Sequence, residues 1–146
     1  MTALFILTLL LQVPTQTREI SLQVKHEHAL GSCSGALIFS DAGVRYETKE
    51  KGHQRSWNYP DVKYFEIVSL KKIEIHSYED QGVLRLGQDR DFVFELTAGE
   101  IGNNLYQLVV EKSPRAVVTH VVFPGTEVCR NCLSGTGTTS VDARVF

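Results

Sequence analysis

The feature that most constrains this chain is a series of short apolar–polar alternations, each cut off by turn residues after a few positions. Leu22 and Val24 alternate with Gln23 and Lys25, and the apolar run at 36–39 stops at Ser40-Asp41-Ala42-Gly43. Val44, Tyr46 and Thr48 alternate with Arg45, Glu47 and Lys49, and Glu50-Lys51-Gly52 makes the next turn. Gly52 can take positive φ there at little cost. Residues 54–59 continue as a strand carrying Trp57, until Pro60, which has no N–H to offer a ladder. Segments 62–68 and 72–78 are two further strands, with a short one at 83–86 between turns at 80–82 and 87–90, and a last one at 91–97. A period of two sends alternate side chains to opposite faces, so each segment has one apolar face to bury. About seven such strands at this spacing predict an antiparallel sandwich or barrel.

The period then changes. Ile101, Leu105, Leu108 and Val109 fall on one stripe of an amphipathic helix, with Asn103 or Asn104 placed to cap it and Pro114 just past its end. One short helix cannot bury its stripe alone, so it must lie on the sheet or plug an open barrel end. Beyond it, 117–123 reads as a strand interrupted by His120, and 133–140 (LSGTGTTS) holds no core-building residue. The expected division is therefore a compact domain at 18–113 and a tail or truncated linker at 114–146.

Residues 3–13 (ALFILTLLLQV) carry no charge. They are too few for a spanning helix, which needs about 20, but match the core of a signal peptide. A candidate signal peptide at 1–17 implies an exported protein, periplasmic or extracellular. Against this stand the lack of a preceding Lys or Arg and of an A-x-A cleavage site, and the alternative is a cytoplasmic chain with an apolar N-terminal segment.

Seven antiparallel strands followed by one helix resemble the pleckstrin-homology (PH) superfold. The stretch at 35–46 (GALIFSDAGVRY) is similar to the second and third strands of bacterial members, and Trp57-Asn58-Tyr59-Pro60-Asp61-Val62 to the aromatic-rich segment of PH-like and GRAM-type domains. Lys25-His26-Glu27-His28, Gly31-Ser32-Cys33-Ser34-Gly35, Tyr78-Glu79-Asp80 and 86–90 add a resemblance to an uncharacterised bacterial family with a PH-like domain. The resemblance implies a PH-like barrel of about seven strands capped by a C-terminal helix. It also implies a non-catalytic interaction or scaffolding module with a protein partner and no cofactor.

Charge decides against two ligand classes. With 15 Lys and Arg against 17 Asp and Glu, bulk attraction to nucleic acid is excluded. Family members that bind phosphoinositides cluster basic residues in the loop between the first two strands. Here Lys25 is the firm positive charge of that loop and Glu27 opposes it. Arg18, Lys49, Lys51, Arg55, Lys71 and Lys72 are scattered among acids.

Other candidates rest on local spacing. Cys129-Arg130-Asn131-Cys132 is a C-x-x-C, able to share one zinc, and His26 and His28 share one face of a regular strand. His120 and Cys33 are further candidate ligands. A thiol- or zinc-dependent protein centred on Cys129 and Cys132 is the alternative function. Leu133 stands where a c-type haem site needs His, and the residues after Cys132 do not open the helix a thioredoxin-type dithiol uses. In an exported chain these cysteines form a simple disulfide with each other or with Cys33. Ser32 and Ser34 near His28 lack a hydrolase motif, and Glu79, Asp80, Asp89 and Asp91 read as turn carboxylates or a weak calcium cluster. Trp57, Tyr59, Tyr64 and Phe65 read as core, or as an exposed partner-binding patch.

Overall fold

A computed structural model describes residues 17–28, 31–80, 89–124 and 140–141. The alternating segments form β1 (Glu19–His28), β2 (Gly31–Ser40), β3 (Gly43–Thr48), β4 (Arg55–Trp57), β5 (Val62–Ser69), β6 (Lys72–Asp80) and β7 (Asp89–Leu96). The helix α1 (Asn103–Lys112) follows, then a short strand, β8 (Val117–Thr119). The fold is mainly β: one mixed eight-stranded sheet in the order β4-β3-β2-β1-β7-β6-β5-β8, with Ser140 and Val141 (β9) bridging onto β8. Strands β1 to β7 run antiparallel to their neighbours, whereas β8 lies parallel to β5.

Alternation decides which side chains enter the core. Leu37 and Phe39 of β2, Val44 and Tyr46 of β3, and Trp57 of β4 are buried. So are Phe65 and Ile67 of β5, Ile73 and Ile75 of β6, and Phe92 and Phe94 of β7. The sheet curls until its two halves meet: Trp57 packs edge-on to Phe92 at 4.9 Å, and Phe39 lies 6.2 Å from Phe65. Each such ring withdrawn from water contributes about 1.5–3 kcal/mol. At Gly35 a side chain is sterically impossible without movement, because a Cβ would stand 2.2 Å from the Glu47 carbonyl oxygen.

The sheet stays open, which corrects the expected closed barrel. The edge of β5 that would have to meet β4 is occupied by β8, at Phe65↔Val117 and Ile67↔Thr119. Strand β4 is three residues long, and Pro60 sits in a 3-10 turn, Tyr59–Asp61, instead of extending the strand to residue 59. The helix begins after Gly102 and not after an Asn cap, and no side chain caps it. Gly52 lies in a second 3-10 turn, Lys51–His53, while the positive-φ glycines among the described residues are Gly31, Gly43 and Gly99.

The packed unit also runs past residue 113. Val117 and Phe123 are buried, and Phe123 stacks on Tyr106 of α1 at 4.8 Å and 11°. The strand expected at 83–86 and most of the tail lie outside the described residues.

The two ends of the curled sheet differ. At one, Ile101 donates its N–H to the Leu70 carbonyl at 2.7 Å, while Leu105, Leu108 and Val109 are buried. Arg18 ties this end together by donating to Glu111 at 2.7 Å and, through its backbone, to Asp41 at 3.0 Å. The opposite end carries the β1–β2 hairpin and the Lys51–His53 turn, and no helix covers it among the described residues.

Candidate functional site

That uncovered end brings His28, Cys33, Glu50 and His53 together. Each offers one ligand-type atom, and the four atoms lie within 4.8 Å of one another. The hairpin explains half of the cluster. His26 is opposite Cys33 and His28 opposite Gly31, so His28 and Cys33 are diagonal neighbours on one face. The 3-10 turn explains the other half, because side chains three residues apart eclipse in that geometry. Glu50 and His53 are so spaced, with His53 Nδ1 3.0 Å from Glu50 Oε2.

The cluster's polar atoms are poorly served. His28 Nε2 and His53 Nδ1 are buried without a hydrogen-bond partner, the Glu50 contact being out of line for one. The two rings meet edge to face at 4.7 Å. Cys33 is a buried free thiol with Sγ 3.2 Å from the Tyr46 hydroxyl. That hydroxyl donates to the Cys33 carbonyl at 3.0 Å, which leaves its oxygen to accept from the thiol. Burial, followed by the hydrogen bond and charge of Cys33, holds the Tyr46 phenol far above its usual range, so it remains a donor.

His26 faces the same side but serves the core. Its ring packs 4.9 Å from Phe94 and 5.7 Å from Tyr46, and Nδ1–H donates to the Val93 carbonyl at 3.0 Å. Burial lowers its pKa against the effect of that bond, and the charges of His28, His53 and Arg55 lower it further. Of the expected pair, His28 joins the cluster and His26 does not. Cys129 and Cys132 lie outside the described residues. Glu50 and His53 escaped the sequence reading because an E-x-x-H across a turn has meaning only once its partners are known.

A second cluster occupies the outer face of β5 to β7. The His76 ring donates from Nδ1 to Asp91 at 2.7 Å and turns Nε2 toward Glu66 and Glu74 at 3.3 and 3.7 Å. His120 Nε2 is 2.7 Å from the other oxygen of Glu66. Tyr64 lies flat on His76, centroids 4.0 Å apart and planes at 14°.

The remaining candidates separate. Trp57 and Tyr59 are core residues, 3% and 4% exposed, which removes them from any exposed patch; of the partner-binding trio, Tyr64 is the one at the surface. Trp57 Nε1 donates to Glu79, and the Tyr59 hydroxyl to the Ser40 carbonyl. Ser32 and Ser34 are exposed, in alternation with the buried Cys33, and so point away from His28. Of the acidic quartet, Glu79 takes Trp57, Asp89 takes Lys63 and Asp91 takes His76, while Asp80 stands opposite Asp89 in the β6–β7 ladder; the ligand-type clusters among the described residues include none of the four. No family model matches this chain, and no curated protein is significantly similar to it.

Proposed function

We propose that this chain is a non-catalytic interaction module of the PH-like kind, related to the bacterial PH-like proteins it resembles and exported after loss of its N-terminal segment. Strand order carries the reading. From β1 to β7 each strand lies beside its neighbours in sequence except across the β4–β5 opening, and β1 returns to meet β7. This order supports a PH-like arrangement opened at one corner, with α1 as the plug of one end.

The partner is a protein, and it docks on the outer face of β5 to β7. Tyr64 and Tyr78 project there among Glu66, Glu74 and Asp91, and Tyr78 is 48% exposed. Tyrosine is enriched in protein interfaces, and the stack on His76 orders Tyr64 in advance. The test is a photoreactive residue placed at Tyr64 in the native cell, with the same residue at exposed Gln23 as control. We expect a discrete protein adduct from position 64, weakened by Tyr78→Ala, and none from position 23. Equal labelling from both positions, or none from 64, rejects the docking face. N-terminal sequencing of the mature chain checks export, which an intact Met1 contradicts.

A further inference from the structure

We infer that His28, Cys33, Glu50 and His53 bind one zinc ion, which clamps the β3–β4 turn to the β1–β2 hairpin at the uncovered end of the sheet. The donor set has the right chemistry: two imidazoles, a thiolate and a carboxylate are all zinc ligands, and four of them fill a tetrahedral structural site. Charge also closes. A thiolate and a carboxylate neutralise the dication while both rings stay neutral, so no net charge is left at the mouth of an apolar core.

Two separate observations point to a ligand here. The four donor atoms already lie within 4.8 Å of one another, and the tetrahedron formed by bonds of 2.0–2.3 Å has edges of roughly 3.3–3.8 Å. His28 Nε2 and His53 Nδ1 are buried with no hydrogen-bond partner, an arrangement proteins ordinarily avoid. We assign these two nitrogens as the donors. The contraction of about 1 Å falls on the movable half of the site. Glu50 and His53 side chains are 57% and 39% exposed on a surface turn, whereas His28 and Cys33 are held by strands.

On binding, the Cys33 thiol gives its proton to solvent and the Sγ–Zn bond forms. The Tyr46 hydroxyl, no longer receiving the S–H and 3.2 Å from the sulfur before binding, turns its own O–H from the Cys33 carbonyl to donate to the thiolate and position it. These four residues complete the site without the C-x-x-C of the tail on which the sequence centred a zinc-dependent reading.

The test uses the full chain, stripped of metal and titrated with cobalt(II) as a spectroscopic stand-in and then with zinc. We expect one equivalent of cobalt with tetrahedral ligand-field bands and a thiolate-to-cobalt charge-transfer band, displaced by one equivalent of zinc. The charge-transfer band disappears in Cys33→Ser. In His53→Ala, whose side chain is largely outside the core, affinity falls by roughly a hundredfold or more while the circular dichroism is unchanged. The Cys129→Ser/Cys132→Ser double variant keeps the band and the affinity. No charge-transfer band in the wild type, full affinity in His53→Ala, or loss of the band in the double variant each overturns the assignment. Because His53→Ala perturbs no strand, the assignment stands or falls even if Cys33→Ser does not fold.

Discussion

Tyr59 shows how one polar atom in the core sets a limit on the whole protein. Its ring is 4% exposed and packs 6.0 Å from Phe65, while its hydroxyl donates to the Ser40 carbonyl at 2.9 Å. Burial, then the charge of Asp41, pushes the phenol from 10 up to about 12. Between those values the unfolded chain has lost a proton that the folded one keeps, so stability falls as pH rises through this window. At pH 11 the loss from this group is about 1.4 kcal/mol. Urea midpoints at pH 9 and pH 11 should drop more for wild type than for Tyr59→Phe, which starts about 1 kcal/mol less stable for want of the hydrogen bond. Equal drops would reject the assignment. The sequence shows Tyr59 as an aromatic in a strand-like run, which is half right. Pro60 turns the chain there, and the Ser40 partner lies 19 residues upstream, a pairing no local pattern encodes. Glu50 and His53 were hidden for the same reason, since their neighbours His28 and Cys33 arrive through strand register and not through spacing.

At the level of elements, local periodicity was legible and long-range pairing was not. Most of the strands from β1 to β7 announce themselves by alternation because they have one wet and one dry face, whereas β2, buried on both faces from Leu37 to Ser40, shows as an apolar run. The stripe of α1 did so too, although Tyr106 joins it and Gly102, not an asparagine, precedes the first turn. Strand β8 keeps three residues of the strand read at 117–123, ending just before His120, but its parallel partner β5 is about 50 positions earlier in the chain, so its composition suggests a strand and not where it pairs. Yet it covers an edge that would otherwise show unpaired N–H and C=O groups, the usual route to sheet-to-sheet association. Its anchor is Phe123 against Tyr106. Phe123→Ala should cost about 3 kcal/mol in urea unfolding, with a rise in concentration-dependent association as β8 lifts from β5. A loss under about 0.5 kcal/mol, the range of ordinary surface changes, would mean that β8 and the residues after it do not hold that edge.

For the whole molecule, the placement of charge matters more than its sum. A formal −2 is compatible with a basic patch, provided the acids are elsewhere. The structure instead puts acids beside bases. Arg18 meets Asp41 and Glu111, Arg45 meets Glu19 and Glu47, and Lys72 meets Glu74. At the uncovered end, where a lipid head group would have to enter between the hairpin and the 3-10 turn, Arg55 spends one guanidinium nitrogen on the carbonyls of Gly52 and Gln54. Arg90 lies over the Phe92 ring at 5.2 Å. Glu50 stands in that mouth with His28 and His53, and its carboxylate, matched against the proposed zinc, leaves no surplus of positive charge at the cluster for a polyanion. Exposed pairs of this kind contribute little to stability, but they flatten the surface potential within a Debye length of about 8 Å at physiological salt. Cosedimentation with vesicles containing phosphoinositide or phosphatidylserine at that salt should therefore leave the protein in the supernatant. Saturable binding of the wild type to either vesicle would show that the local field at this end is positive, and would move the functional surface from the outer tyrosines to the mouth of the sheet.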